Sequence, residues 1–190
     1  MYPEIALASA SPRRRELLQQ IAVPFSLVQV DVDESHQGNE SPQLYVTRLA
    51  HAKAQAGAEK IQFALPVLGA DTIVVVDQHI LGKPADQADF SRMMQLLSGR
   101  CHQVMTAVAL VGKGSSDSCC VSTEVCFREL SAADITAYWQ TGEPRDKAGG
   151  YGIQGQGGRF VSHISGSYSA VVGLPLCETD FLLRNWQEQA

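Results

Sequence analysis

Ser9, Ser11, Arg13 and Arg14 crowd into one short stretch of a 190-residue chain, and together they are suited to holding an anion. The apolar run Ile5-Ala6-Leu7-Ala8 before them reads as a strand. Ser11 and Pro12, ahead of Leu17, Leu18 and Ile21, read as the N-cap and first position of a helix. Arg13 and Arg14 then fall in the first helical turn, where cations oppose the helix dipole. A bound anion resolves that opposition, because backbone N–H groups, hydroxyls and guanidinium forks can all face it. The alternative is a solvated basic turn; the strand and the hydroxyls favour a phosphate cradle. Arg15, one position further round, reads as solvated.

Asp71 is the second candidate. It lies within Val67-Leu68-Gly69-Ala70-Asp71-Thr72-Ile73-Val74-Val75-Val76, a run apolar enough for a strand buried on both faces. A lone carboxylate is costly there, so a cation, a metal or hydrogen-bond donors must meet it; a backbone bond at a strand bend is the structural alternative. Glu34 belongs to the carboxylate-rich loop Asp31-Val32-Asp33-Glu34-Ser35. If that loop reaches Asp71, Glu34 and Asp71 offer hard oxygen ligands for Mg²⁺ or Mn²⁺ shared with substrate phosphates. Lys53, among Ala50, Ala52 and Ala54, is either a core lysine with its ammonium at the surface or an anion ligand. Lys83 stands in the tight turn Gly82-Lys83-Pro84, a weak signal alone.

Gly150, Gly152 and Gly155 match the G-x-G-x-x-G spacing of dinucleotide-binding folds. Further glycines and a strand follow them instead of a helix, so that reading is rejected. The segment reads as a loop whose backbone approaches a ligand closely, with Gln154 able to read donor and acceptor edges of a base. There is no Walker A sequence, no nucleophile elbow around Ser167, no H-E-x-x-H and no triad-like Cys/His arrangement.

The elements that must position these residues alternate between strand-like and helix-like. Phe25–Val30 reads as a strand, and Ser41-Pro42 opens a helix to about Lys60 with Tyr45, Leu49, Ala52 and Ala56 on its buried face. Val67–Asp77 is a strand and Asp86–Leu97 a helix. Gln103–Val111 and Val121–Arg128 are strands around a long turn at Gly112–Ser118. Ser131–Thr141 is a helix capped by Ser131 with Asp134. Arg159–Ile164 and Ala170–Val172 read as strands, and Leu176–Trp186 as a closing helix. This is an α/β pattern with a mixed sheet, since the hairpin disfavours an all-parallel one.

With 45% hydrophobic residues and a net charge of −5, the chain is an ordinary globular one, and no nucleic-acid backbone is expected as partner. No segment approaches membrane-spanning length, so no membrane partner is expected. Five cysteines without metal-ligand spacing or a secretory signal predict reduced thiols and a cytoplasmic location.

Several motifs in order carry a resemblance. They are Ser9-Ala10-Ser11-Pro12-Arg13-Arg14, Val32-Asp33-Glu34-Ser35, Gly69-Ala70-Asp71-Thr72, Gly82-Lys83-Pro84, Asp146-Lys147-Ala148-Gly149 through Gly155, and Val172-Gly173-Leu174-Pro175. With them the chain resembles the Maf family of nucleoside triphosphate pyrophosphatases over nearly its whole length. The resemblance implies one catalytic domain over residues 1–190, built on an elongated mixed β-sheet flanked by helices. It also implies two lobes with the active-site cleft between them, as in Maf/ITPase-like folds, and a homodimer. The implied reaction splits a nucleoside triphosphate between the α and β phosphates, with Mg²⁺ or Mn²⁺, giving monophosphate and pyrophosphate.

By the same resemblance, Ser9, Arg13 and Arg14 hold phosphates, while Glu34 and Asp71 serve the metal and the attacking water. Lys53 and Lys83 offset charge on the triphosphate and the leaving pyrophosphate. Arg13, Thr72 and Gln154 match the branch acting on dTTP and UTP. The 7-methyl-GTP branch tends to carry an aromatic, a glutamine and a glutamate in those places. One departure is Ala52, where family members commonly carry a glutamate before the lysine, which questions any ion pair orienting Lys53. The rival expectations are a nucleotide-sensing regulator of septation and a pyrophosphatase for 7-methyl-GTP.

Overall fold

In the computed structural model, which describes residues 2–189, strand β1 (Ile5–Ala8) is wholly buried. It lies between two parallel neighbours, β2 (Phe25–Leu27) and β3 (Val67–Val76), with Ile5 opposite Phe25 and Ala6 opposite Val67. Helix α1 (Pro12–Gln20) links β1 to β2, and helix α2 (Pro42–Lys60) links β2 to β3. After β3 come β4 (His79–Leu81), α3 (Gln87–Leu97), β5 (Cys101–Gly112), β6 (Ser115–Phe127) and α4 (Ala132–Gln140). Three 3-10 turns, at Glu143–Asp146, Ala148–Gly150 and Gln156–Phe160, lead to β7 (Val161–Ser165), α5 (Tyr168–Val172) and α6 (Leu176–Gln189). The strands form one 7-stranded sheet in the order β2-β1-β3-β5-β6-β7, with β4 antiparallel on β3 and β7 antiparallel on β6. The expected mixed α/β sheet is therefore present.

The chain makes two compact units, Met1–Asp71 with Thr106–Val121 and Gly173–Ala190, and Thr72–Met105 with Ser122–Val172. In the first, α2 lies on the sheet through its smallest residues. A Cβ added to Gly69 would stand 2.3 Å from the Ala50 carbonyl oxygen and 2.5 Å from the Ala54 nitrogen. This close approach turns the helix from the expected face: Val46, Leu49, Ala50, Ala54, Gly57 and Ala58 are buried, whereas Tyr45, Ala52 and Ala56 are only half-buried.

The second unit has an aromatic core in which Phe90, Tyr138 and Phe160 are fully buried, each ring worth about 1.5–3 kcal/mol of burial. His102 belongs to it, 3% exposed, with Nε2 and the Tyr151 hydroxyl sharing a hydrogen bond of 2.7 Å. Burial pulls the imidazole down from its ordinary 6.5 to about 4. The unfolded chain therefore takes up a proton at a pH where the folded chain does not. Stability from this group is complete above pH 6.5 and is lost as the pH falls towards 4. Thermal unfolding of wild type should show that loss, and His102→Gln should flatten it. Parallel curves for the two proteins would refute the assignment.

Four local expectations are corrected. Strand β2 ends at Leu27, short of Val30, because β1 is only four residues long and the last rung, Val28 N–H to the Leu7 carbonyl at 3.1 Å, exhausts its partner. The β5–β6 connection is the two-residue turn Lys113-Gly114, with Gly114 at φ +78°; the polar Ser115–Ser118 stretch that read as loop is exposed strand. Ala170–Val172 is helical, part of α5, since so short an apolar run has no readable period. The cysteines are not all reduced: Cys101 on β5 is disulfide-bonded to Cys126 on β6, leaving Cys119, Cys120 and Cys177 free. Cross-strand pairing brings the two sulfurs together, and spacing along the chain does not reveal it. The Ser131–Asp134 capping box of α4 is present as expected.

Candidate active site

Helix α1 starts directly after β1, and the chain between them is tied by Ser9 rather than by the expected cap, since Ser11 makes no side-chain capping bond. Ser9 Oγ accepts from the Ser11 N–H at 3.2 Å and from Arg14 Nη1 at 3.1 Å. Arg14 Nε donates to the Gly173 carbonyl at 2.8 Å, so its guanidinium is fixed at two points. Burial lowers the Arg14 pKa, and Arg13 lowers it further, while Asp71 and Glu34 oppose the shift. These four groups thus share one electrostatic field. Arg15, expected to be solvated, is half-buried and donates to the Ala10 carbonyl at 3.4 Å.

The loop that carries Glu34 is held by α2. Tyr45 donates its hydroxyl to the Glu34 carbonyl at 2.7 Å, and Arg48 Nη2 donates to the Ser35 carbonyl at 3.0 Å. Arg48 also grips Glu40 with two bonds, of 2.9 and 2.6 Å. One further turn along, Lys53 Nζ lies 2.7 Å from Glu34 Oε1 and 2.7 Å from Asp71 Oδ1. The side chains of Lys53 and Asp71 are only 14% and 13% exposed, that of Glu34 53%. The alanines around Lys53 therefore have a purpose: they let α2 sit close enough to β3 for a lysine to reach Asp71. The departure at Ala52 does not leave Lys53 without an ion pair, because Glu34 and Asp71 both supply one.

The first unit thus brings together Ser9, Arg13, Arg14, Glu34, Lys53 and Asp71. Thr72, Lys83 and Gln154 belong to the second unit. There, the turn carrying Lys83 is joined to the glycine-rich segment by a bond from the Gly149 N–H to the Gly82 carbonyl, at 2.9 Å. Gly149 takes φ +67°, and a Cβ on it would meet Val74 at 2.7 Å. Lys83 and Gln154 are both exposed. The glycines flanking Gln154 make room within their own unit, Gly155 for the Glu143 carboxylate and Gly157 for the Tyr138 hydroxyl.

Sequence reasoning missed Tyr45 and Gly173 as positioning groups, and Glu143 altogether. Gly173 lies within the Val172-Gly173-Leu174-Pro175 motif, yet nothing local reveals that its carbonyl receives an arginine. Burial opposes ionisation of Glu143, but hydrogen bonds from Tyr138 and from the Gln156 and Gly157 amides outweigh it and hold its pKa below the usual range.

The donor chemistry fits a divalent cation at Glu34 and Asp71: two carboxylates already converge on one cation, the Lys53 ammonium. Another trio of ligand types, Cys101, Glu124 and Cys126, lies within 4.8 Å, but its sulfurs are bonded to each other and are not free to ligate. No helix among the described residues is long and apolar enough to cross a membrane.

The chain matches the family model described as Maf-like protein over residues 4–186. It is 57% identical over 186 residues to the dTTP/UTP pyrophosphatase of Pseudoalteromonas translucida, covering 98% of both chains. It is 55% identical to that of Vibrio cholerae, covering 96% of this chain and 98% of the other. With that of Salmonella typhimurium the identity is 57%, over 95% of this chain and 91% of the other.

Proposed function

Because this chain belongs to the Maf family, we propose that it hydrolyses dTTP and UTP to the monophosphate and pyrophosphate, clearing such pyrimidine nucleotides from the pool. The observation that carries this reading is Lys53 held between Glu34 and Asp71, in the same field as Arg13 and Arg14. Relatives that share more than half of their residues with this chain and are named for dTTP and UTP support the pyrimidine assignment over 7-methyl-GTP. Paired carboxylates beside clustered cations support turnover over sensing, since a sensor needs no base.

Attack on the α-phosphorus loads charge onto non-bridging and leaving oxygens, so fixed cations supply most of the stabilisation. Arg14, fixed by Ser9 and Gly173, holds phosphate oxygens without first having to be ordered. Arg13 adds a second fork, and the Ser9 hydroxyl a further contact. The Lys53 ammonium turns from a carboxylate to the triphosphate when substrate enters, and Lys83 offsets charge on the departing pyrophosphate. Asp71 orients the attacking water and takes its proton. Glu34 and Asp71 would hold Mg²⁺ or Mn²⁺, which when bound supplies Lewis-acid neutralisation of phosphate charge. Thr72 and Gln154 select the base together with Arg13, the neutral amide of Gln154 suiting the donor and acceptor edge of uracil or thymine.

The same reading takes residues 1–190 as one catalytic domain, because β3, β5 and β6 each contribute to both units. It places the protein in the cytoplasm, where its substrates are, as a homodimer whose partners are nucleotides rather than nucleic acid or membrane. The test incubates purified protein and Mg²⁺ or Mn²⁺ with a panel of nucleoside triphosphates and scores pyrophosphate. The expected order is dTTP and UTP first. Preference for 7-methyl-GTP, or tight binding without pyrophosphate, would overturn it.

A further inference from the structure

Gln154 stands on an arch whose two feet are tied to one carboxylate. At the near foot, the Gly152 N–H donates to the Tyr138 hydroxyl at 3.1 Å, and that hydroxyl donates to Glu143 Oε1 at 2.7 Å. At the far foot, the Gln156 N–H donates to Glu143 Oε2 at 2.9 Å and the Gly157 N–H to Oε1 at 3.2 Å. Between the feet lie only Ile153, Gln154 and Gly155. Both carboxylate oxygens are used, and the relay runs unbroken from Gly152 through Tyr138 and Glu143 to Gln156 and Gly157.

The glycines of this arch are shaped to the carboxylate. A Cβ on Gly155 would stand 2.4 Å from both Glu143 oxygens, and one on Gly157 would stand 2.6 Å from the Tyr138 hydroxyl. A Cβ on Gly152 would meet Lys147 Cε at 2.8 Å, and Lys147 Nζ donates to the Glu143 carbonyl at 2.7 Å. Glu143 is thus fixed at its backbone as well as at its side chain. Tyr138 is rooted in the aromatic core, fully buried against Phe160 with ring centroids 5.1 Å apart. The exposed arch therefore inherits the rigidity of the core through two side chains.

We infer that Glu143 and Tyr138 are positioning residues for base selection, holding the arch so that Gln154 meets the pyrimidine edge in one fixed place. This rests on the reading that Gln154 faces the base. A hydrogen bond discriminates only where its donor and acceptor are held still, and a misplacement of about 1 Å can remove a hundredfold effect. Glutamine at 143 keeps the shape but turns an N–H group towards N–H donors, so the relay fails at one foot. Phenylalanine at 138 deletes the relay oxygen and keeps the ring.

The test compares kcat and KM for dTTP and dCTP, whose bases present opposite groups at one edge, in a double-mutant cycle. Glu143→Gln should lower the dTTP-over-dCTP preference about tenfold, mainly through KM, with kcat for dTTP within about threefold of wild type. In a Gln154→Ala background the same substitution should have no further effect on that preference. Tyr138→Phe should reproduce the loss in a protein whose core is retained, and stands in if Glu143→Gln does not fold. An equal loss with and without Gln154 would make Glu143 merely structural and overturn the inference. If Gln154→Ala lowers the preference but Glu143→Gln and Tyr138→Phe do not, the clamp alone is wrong. If Gln154→Ala leaves the preference untouched, the base-reading assignment falls and the clamp with it.

Discussion

Asp71→Asn should lower pyrophosphate release from dTTP by about a hundredfold to ten-thousandfold, the range lost with a positioned general base. The substitution keeps size and shape but removes the charge that meets Lys53 at 2.7 Å. Lys53 is not stranded, because Glu34 pairs with it at 2.7 Å as well. Stability should therefore fall by less than the about 3–5 kcal/mol that breaking a buried pair outright costs. That separation of outcomes makes the test sharp. A steady-state assay with a parallel melting curve gives both numbers, and full activity in a folded Asp71→Asn protein would remove Asp71 from the mechanism.

Gly69→Val should be among the most disruptive single changes in the first unit, costing about 3 kcal/mol or more. Strand propensity predicts the reverse, since valine suits a strand better than glycine does. Geometry decides the sign: the new Cβ would lie 2.3 Å from the Ala50 carbonyl oxygen and 2.5 Å from the Ala54 nitrogen, and helix backbone cannot step aside as a flexible side chain can. Displacing α2 also withdraws Lys53 from Asp71, so activity should fall along with the urea midpoint. Gly82→Ala is the control, because a Cβ there meets nothing within 4 Å. A wild-type midpoint for Gly69→Val would mean that helix and strand are not in this contact.

What the sequence could reveal depended on how far each signal reaches along the chain. The stretch from Ser9 to Arg14 is a local pattern, and its strand, turn and helix occur where they were expected. Asp71 was legible because a carboxylate in an apolar strand must be answered, and Lys53 answers it. The rotation of α2 was not legible: alanine looks the same on either face of a helix, and only Gly69 opposite decides which alanines are buried. The glycine-rich segment was legible as a place of close approach, but not that Glu143 and Tyr138 are among the groups approaching it. Glu143 lies nine residues or more from every amide and glycine it serves, and its own neighbours, Gly142 and Pro144, give no hint of them.

The Cys101–Cys126 bond gives the unfolded chain a topology of its own. With the bond intact, denaturation yields a lariat: a ring from residue 101 to residue 126, carrying two linear tails. With the bond reduced, it yields an open thread. The ring contains both arms of the β5–β6 hairpin and its Lys113-Gly114 turn, so the oxidised chain can never wander far from its longest strand pairing. Unfolding free energies taken with and without a reducing agent thus refer to two different denatured ensembles, and their difference measures the ring as much as the native fold.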